Sequence, residues 1–169
     1  MNYINKGKRD VLIFPKFNNI DKIQNIRRQY DELSDIIPPH ITLVFPFERD
    51  FSDEFLQEQL TTICKKYKKF KIKCHGITLE KDERINKYFI FLNIIEGESI
   101  IRDISGEIYN KIFNKNIPND YIPHITLGTV DRKIDIELND YFETIIEHIE
   151  VEYIGENEES IIRFSINLS

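Results

Sequence analysis

The sequence predicts an α+β fold of two similar lobes, each a sheet of antiparallel or mixed strands with outer helices, related by a pseudo-two-fold. Three observations predict it. Apolar runs of strand length alternate with stripes of helical period, reading βαβαβ and then βαβαββ. The second half thus echoes the first, with halves at about residues 1–80 and 81–169. Finally, Pro39-His40-Ile41-Thr42-Leu43 recurs 84 residues later as Pro123-His124-Ile125-Thr126-Leu127, each copy opening a strand. No low-complexity linker divides the chain, so residues 1–169 read as a single bilobal domain with a cleft between the lobes.

The elements follow in order. Val11 to Pro15 is a short apolar strand. Ile20, Ile23, Tyr30 and Leu33 then mark a helix, with Asn18 or Asn19 as cap. Pro38-Pro39 ends that region, and His40 to Phe47 is the second strand. Ser52 caps the next helix, Asp53 and Glu54 suit its first turn, and Phe51 is placed to staple onto Leu56. Its apolar stripe is Leu56, Leu60, Ile63 and Tyr67. Phe70 to Leu79 alternates as a strand, and the nearly all-apolar Tyr88 to Ile95 reads as a strand buried on both faces. A third helix from about Ser99 turns Ile100, Ile101, Ile104, Ile108 and Ile112 inward, and His124 to Val130 is a strand. Leu138, Tyr141, Phe142, Ile145 and Ile146 predict a fourth helix, before closing strands at about 148–153 and 161–168. Crossovers from strand through helix to strand within a lobe are expected to be right-handed.

Composition narrows the function. The 169 residues carry 23 Lys+Arg against 29 Asp+Glu, a net charge of −6, which argues against wrapping extended nucleic acid. The two cysteines, Cys64 and Cys74, lack metal-type spacing and read as small buried apolar residues. No apolar run has the length of a membrane span, and Met1 to Lys6 has no signal-peptide core, so a cytoplasmic monomer is expected.

Of four histidines, two stand in identical frames. With a side-chain period of two, His40 and Thr42 share one strand face while Ile41 and Leu43 anchor the other. The same holds for His124 and Thr126 against Ile125 and Leu127. Gly128, two beyond Thr126, is expected to leave space beside the site. Two imidazoles that titrate near neutrality can divide the two proton transfers of a phosphoryl displacement, one as base and one as acid. The two hydroxyls can hold the non-bridging oxygens between them. Neither motif supplies the neighbouring His, Cys or carboxylate of a zinc site, so no metal and no other cofactor is expected.

These paired segments, with the tail Pro38-Pro39-His40-Ile41-Thr42-Leu43-Val44-Phe45-Pro46-Phe47, resemble the His-x-Thr motifs of the two-histidine (2H) phosphoesterase superfamily. The first segment resembles in particular its bacterial 2′-5′ RNA ligase-like (LigT/YjcG-like) branch. The resemblance implies a bilobal α+β fold and metal-independent action on 2′,3′-cyclic phosphate or 2′-5′ phosphodiester bonds of nucleotides or RNA ends. It also implies that His40, Thr42, His124 and Thr126 are the catalytic set. Ligase-like members often carry a basic residue after the second motif, where this chain has Gly128-Thr129-Val130.

The remaining candidates divide between site and scaffold. Phe45, Phe47 and Tyr121 flank the motifs; Tyr121 and Phe47 are candidates to stack on a base, with core packing the competing role for the phenylalanines. His75 alternates with Lys71 and Lys73, and His148 with Glu150 and Glu152, so both read as solvated. The run from Lys65 to Lys73 reads as a solvated helix end and strand face, with phosphate guidance as the alternative. The expected partner is a small nucleotide or an RNA end. The competing function is a non-catalytic nucleotide- or RNA-end-binding module using the same cleft.

Overall fold

The computed structural model describes residues 8–169; Met1 to Lys6, read above as lacking a signal core, lie outside the described residues. The elements are β1 Lys8–Ile13, α1 Ile20–Tyr30, β2 Ile41–Phe47, α2 Asp53–Cys64, β3 Phe70–Asp82, β4 Lys87–Glu96 and α3 Glu98–Phe113. They continue with β5 His124–Val130, β6 Phe142–Ile146, β7 His148–Ile154 and β8 Ser160–Asn167. The eight strands form one sheet in the order β6-β3-β4-β5-β2-β1-β7-β8, and every neighbouring pair is antiparallel. The right-handed crossover rule, which governs parallel strands, therefore has nothing to act on here.

The pseudo-two-fold falls at the middle of this sheet, between the motif strands β2 and β5. On one side lie β2, β1, β7 and β8, and on the other β5, β4, β3 and β6. The spatial halves do not follow the sequence halves: β3 belongs with the second motif, while β7 and β8 return to sit with the first. The helices tie the halves together, since α1 packs on β5 and α3 packs on β2.

Local sequence explains the helix ends. Ser52 caps α2 as expected, its Oγ accepting from the Phe55 N–H at 3.0 Å. Phe51 packs its ring on Phe55 and Phe113, at 5.1 and 5.7 Å between centroids. Asn19 stands at the cap position of α1, but its side-chain amide donates instead to the Tyr141 carbonyl at 3.1 Å. Leu33 lies beyond the end of α1, and Tyr67 beyond α2. The inward face of α3 is Ile101, Ile104, Ile108 and Ile112, all buried.

Two expectations are corrected. The fourth helix is strand β6, which pairs Phe142–Ile146 with Phe70–Cys74 of β3. Phe142 and Ile146 are buried while Glu143 and Ile145 face outward. Inward positions four apart satisfy a period of two as well as a helical one, and pairing β3 decides between them. Nor is β4 buried on both faces. Ile90, Leu92 and Ile94 enter the core, whereas Phe89, Phe91 and Asn93 are half-buried on the opposite face.

The core joins the inner helix faces to the helix-side residues of the sheet, including Val11, Ile41, Leu43, Leu92, Ile125 and Leu127. On β1, Arg9 is buried between Phe47 and the N-terminus of α2, 3.3 Å from Asp53 and donating to the Arg49 carbonyl at 2.8 Å. Asp10, on the other face, is buried directly opposite Glu152 of β7, and its Oδ1 has no hydrogen-bond partner. Cys64 and Cys74 are free and buried, and burial pushes both thiols up to about 12.

Candidate active site

One local device orients both motif histidines. A preceding proline keeps the chain extended, and each ring folds back on the carbonyl two residues upstream. His40 Nδ1 lies 2.9 Å from the Pro38 oxygen, and His124 Nδ1 lies 2.5 Å from the Ile122 oxygen. A carbonyl only accepts, so Nδ1 carries the hydrogen and Nε2 of the neutral ring keeps its lone pair. On His124 that lone pair accepts from the Thr126 hydroxyl at 3.0 Å.

Strand pairing brings the two motifs face to face. Ile41 and Ile125 form the only ladder pair between β2 and β5 among the described residues. In antiparallel register the flanking positions set His40 toward Thr126, and Thr42 toward His124, on one face. Beyond that pair the strands part, so β2 keeps its ladder with β1 but has no further ladder partner on β5 among the described residues. Side chains from the β4–β5 connection fill that place. The Tyr121 hydroxyl donates to the Thr42 carbonyl at 2.7 Å, and Ser105 Oγ donates to the Leu43 carbonyl at 2.5 Å. The Phe45 N–H donates to the Tyr109 hydroxyl at 3.1 Å. The cleft is therefore a splayed sheet whose exposed backbone has been satisfied by side chains.

On the second-motif side the splay opens a cleft of about 540 Å³, lined by His124, Thr126, Phe45, Phe89, Phe91 and Tyr121. Phe91 stacks on the His124 ring at 3.5 Å between centroids and 15° between planes. Burial under that ring lowers the His124 pKa to about 4; the Ile122 hydrogen bond acts in the opposite direction, and charge on His40 lowers it further. Burial also lowers the pKa of His40, opposed by the Pro38 hydrogen bond and helped by the Arg27 guanidinium. Arg27 is itself buried and held to Asp31 at 3.0 Å. Burial thus favours the neutral form of both imidazoles.

The other predicted residues are distributed as follows. Tyr121 lines the cleft with its ring, edge-on to Phe45 at 6.1 Å and 89°, while its hydroxyl is committed to the Thr42 carbonyl. Phe47 lies in a separate hollow, edge-on to Phe113 at 4.9 Å and beneath Arg9 at 5.5 Å. Gly128 leaves no space beside the site. A bulge at Leu127 turns it toward α1, where a Cβ would overlap the Tyr30 carbonyl, and its φ is +139°. The histidines outside the motifs are not simply solvated. His75 stacks on Tyr141 at 3.9 Å, and His148 Nε2 lies 3.0 Å from Glu150 Oε1. In the lysine run, Lys66 pairs with Glu107, Lys69 with Glu147, and Lys71 with Glu96 and Glu143. None of that run lines the cleft.

Phe91, Phe89, Ser105, Tyr109 and the β3–β4 hairpin escape the sequence reading. They lie far from both motifs along the chain, and only the register of β4 on β5, with Phe91 opposite Thr126, could have signalled the first. Among the described residues no group of three His, Cys, Asp or Glu side chains is placed to hold a metal ion, and no helix is long and apolar enough to cross a membrane.

A splayed antiparallel sheet carrying two mirrored His-x-Thr pairs at its centre defines the class as a bilobal protein with a two-histidine site. The comparisons with known proteins place the chain by family and by fold. The chain belongs to the 2′-5′ RNA ligase superfamily, whose sequence model matches residues 15–156. A provisionally named phosphoesterase of Bacillus mycoides is 30% identical over 122 residues, covering 72% of this chain and 69% of the relative. Another, from Geobacillus kaustophilus, is 26% identical over 162 residues, covering 89% and 90%. Among solved structures, Escherichia coli LigT complexed with ATP superimposes with a TM-score of 0.68 at 12% identity, covering 96% of this chain and 98% of LigT. TT0787 of Thermus thermophilus gives 0.58 at 14% identity, covering 95% and 97%. The chain is thus a member of this superfamily with the LigT fold, and both of these relatives carry the name phosphoesterase.

Proposed function

We propose that the chain is a metal-independent phosphoesterase that acts, as a monomer, on 2′,3′-cyclic phosphate or 2′-5′ phosphodiester bonds of nucleotides or RNA ends. One observation carries the reading: both imidazoles have Nδ1 fixed to a backbone carbonyl, which leaves Nε2 of each ring as the atom for proton transfer on one face of the sheet, that of His124 resting on the Thr126 hydroxyl. A phosphodiester seated between them brings a negative charge that raises the pKa of both rings. One Nε2 then takes the proton of the attacking water, and the other, protonated, gives its proton to the departing oxygen. The Thr126 hydroxyl now rests on His124; when the phosphate enters, it and the Thr42 hydroxyl turn to donate to the non-bridging oxygens. Near-symmetry lets the two histidines exchange roles with the direction of reaction.

The test is a panel of nucleoside 2′,3′-cyclic phosphates, 2′-5′ dinucleotides and cyclic-phosphate RNA ends, assayed with and without EDTA. Turnover that persists in EDTA and falls by about 10²–10⁴ in His40→Ala and His124→Ala is the expected result. Unchanged turnover in both variants overturns the reading. Tight binding with no product identifies the competing function, a binding module.

A further inference from the structure

The two halves of the site share one plan and differ in the strand that flanks each motif. On β1, Leu12 lies opposite Thr42 and Ile13 opposite Ile41. On β4, Phe91 lies opposite Thr126 and Leu92 opposite Ile125. The pseudo-two-fold therefore sets Phe91 in the place of Leu12. One residue further on, Asn93 opposite His124 takes the place that Phe14 has beside His40. The exchange changes what each imidazole meets. Phe91 lies flat on the His124 ring, 3.5 Å between centroids and 15° between planes. Leu12 is fully buried and offers no ring, and Phe14 meets His40 only at 6.1 Å and 59°. His124 is thus held on three sides: Nδ1 by the Ile122 carbonyl, Nε2 by the Thr126 hydroxyl, and one face by Phe91. Among the described residues, His40 has only the Pro38 carbonyl on Nδ1 and the tilted Phe14. Two rings in flat contact leave no room for water between them and resist rotation of either about its Cβ–Cγ bond.

We infer that Phe91 is a positioning residue, which pins the His124 imidazole in the plane that aims Nε2 at the Thr126 hydroxyl and keeps water off the covered face. His124 is then the fixed member of the pair and His40 the adjustable one. The inference deepens the proposed function and rests on it for the role of Nε2 in moving the reacting proton. Misplacing such a ring by a fraction of its width lowers the rate of the chemical step more than the affinity for substrate. The same contact bears on protonation. Burial lowers the His124 pKa to about 4, against the Ile122 hydrogen bond, and charge on His40 lowers it further. From β2 the ring faces Thr42, which does not titrate. The charged side chains on the cleft wall are Glu80, Lys81, Asp82, Glu83, Arg84 and Asp120. Exchanging Phe91 alters none of these, so a change at His124 in a Phe91 variant belongs to the ring.

Two variants separate the ring from its bulk. Phe91→Leu gives the second half the side chain that the first half has in Leu12, and Phe91→Tyr keeps the stack. Phe91 is half-buried and lines the cleft, so both variants keep the fold. Proton NMR of the histidine rings in phosphate-free buffer reads His124 without turnover, with His124→Gln assigning its signals. In wild type and Phe91→Tyr those signals are expected upfield, shielded by the stacked ring, and in Phe91→Leu they are expected to return to the ordinary range. His124 in Phe91→Leu is also expected to bind its proton about 5-fold more tightly, with His75 and His148 unchanged. In the assay of the proposed reaction, Phe91→Leu is expected to lower kcat about 10-fold with KM within about 2-fold. The limb of the pH profile that His124 sets moves to higher pH, and Phe91→Tyr restores both. His124 signals and titration that are the same in Phe91→Leu and wild type overturn the inference. So does a raised KM with kcat unchanged, which makes Phe91 a platform for a substrate ring. The proposed reaction fails separately. Displaced His124 signals with no turnover of any substrate remove the reaction and leave the placement of the ring, whereas turnover indifferent to Phe91→Leu does the reverse.

Discussion

The half-buried His124 ring gives the stability of this protein a dependence on pH that adds to those of His40 and Asp10. Its pKa is lowered to about 4 by burial beneath Phe91, against an ordinary value of 6.5. A histidine lowered in the folded state contributes stability that is complete above 6.5 and is lost as pH falls toward 4, because the unfolded chain takes up the proton first. Between pH 7 and pH 5 the unfolded histidine gains roughly 2 kcal/mol from protonation while the folded one gains almost nothing. Replacing the imidazole by a side chain of similar size that does not titrate, His124→Gln, removes this contribution. Urea unfolding followed by circular dichroism at pH 7, 6 and 5 measures it. Wild type is expected to lose about 2 kcal/mol more than the variant over that range. Phosphate bound between the histidines should shrink the difference by raising the folded pKa. Parallel pH profiles for the two proteins would refute the claim that the ring is held neutral by its surroundings.

Other perturbations test the scaffold. Tyr121→Phe leaves the Thr42 carbonyl without its 2.7 Å donor and is expected to cost about 1–3 kcal/mol in urea unfolding, with a fall in turnover from the misplaced threonine. Gly128→Ala forces a Cβ onto the Tyr30 carbonyl at a positive φ, and should cost at least about 2 kcal/mol, read as a lower thermal midpoint. Asp10→Asn addresses the buried carboxyl pair. Burial and the facing Glu152 push the Asp10 carboxyl up to about 9, so its contribution is complete below the usual carboxylate range and is lost as pH rises toward 9. Thermal melts at pH 5 and pH 8 should show the variant gaining on wild type as pH rises.

The site was legible because strand chemistry is local. A proline, a histidine and a threonine within four residues fix the extended backbone, the ring orientation and the shared face, and the repeat says that two such faces meet. The helices were legible from the isoleucines of α3 and the Ser52 cap of α2. What stayed hidden depends on partners distant in sequence. Phe142 and Ile146 become a strand because β3 has an open edge, and Gly128 turns toward α1 because Leu127 forms a bulge. The strand order was hidden for the same reason. An echo between sequence halves suggests that each half builds a lobe, but β7 has β1 as its neighbour, and local pattern carries no mark of that pairing.

That interleaving reverses the order in which the two halves become complete during synthesis. The half bearing His124 is one continuous stretch, β3 to β6, and has all its strands once Ile146 has been made. The half bearing His40 begins first and finishes last, since β1 has a free edge until residues 148–167 arrive to cover it. A chain that stops short of β7 therefore carries both motifs but only one supported histidine. Its exposed β1 edge is a template for pairing with another chain. Loss of residues 148–169 strikes the motif farther from them in sequence.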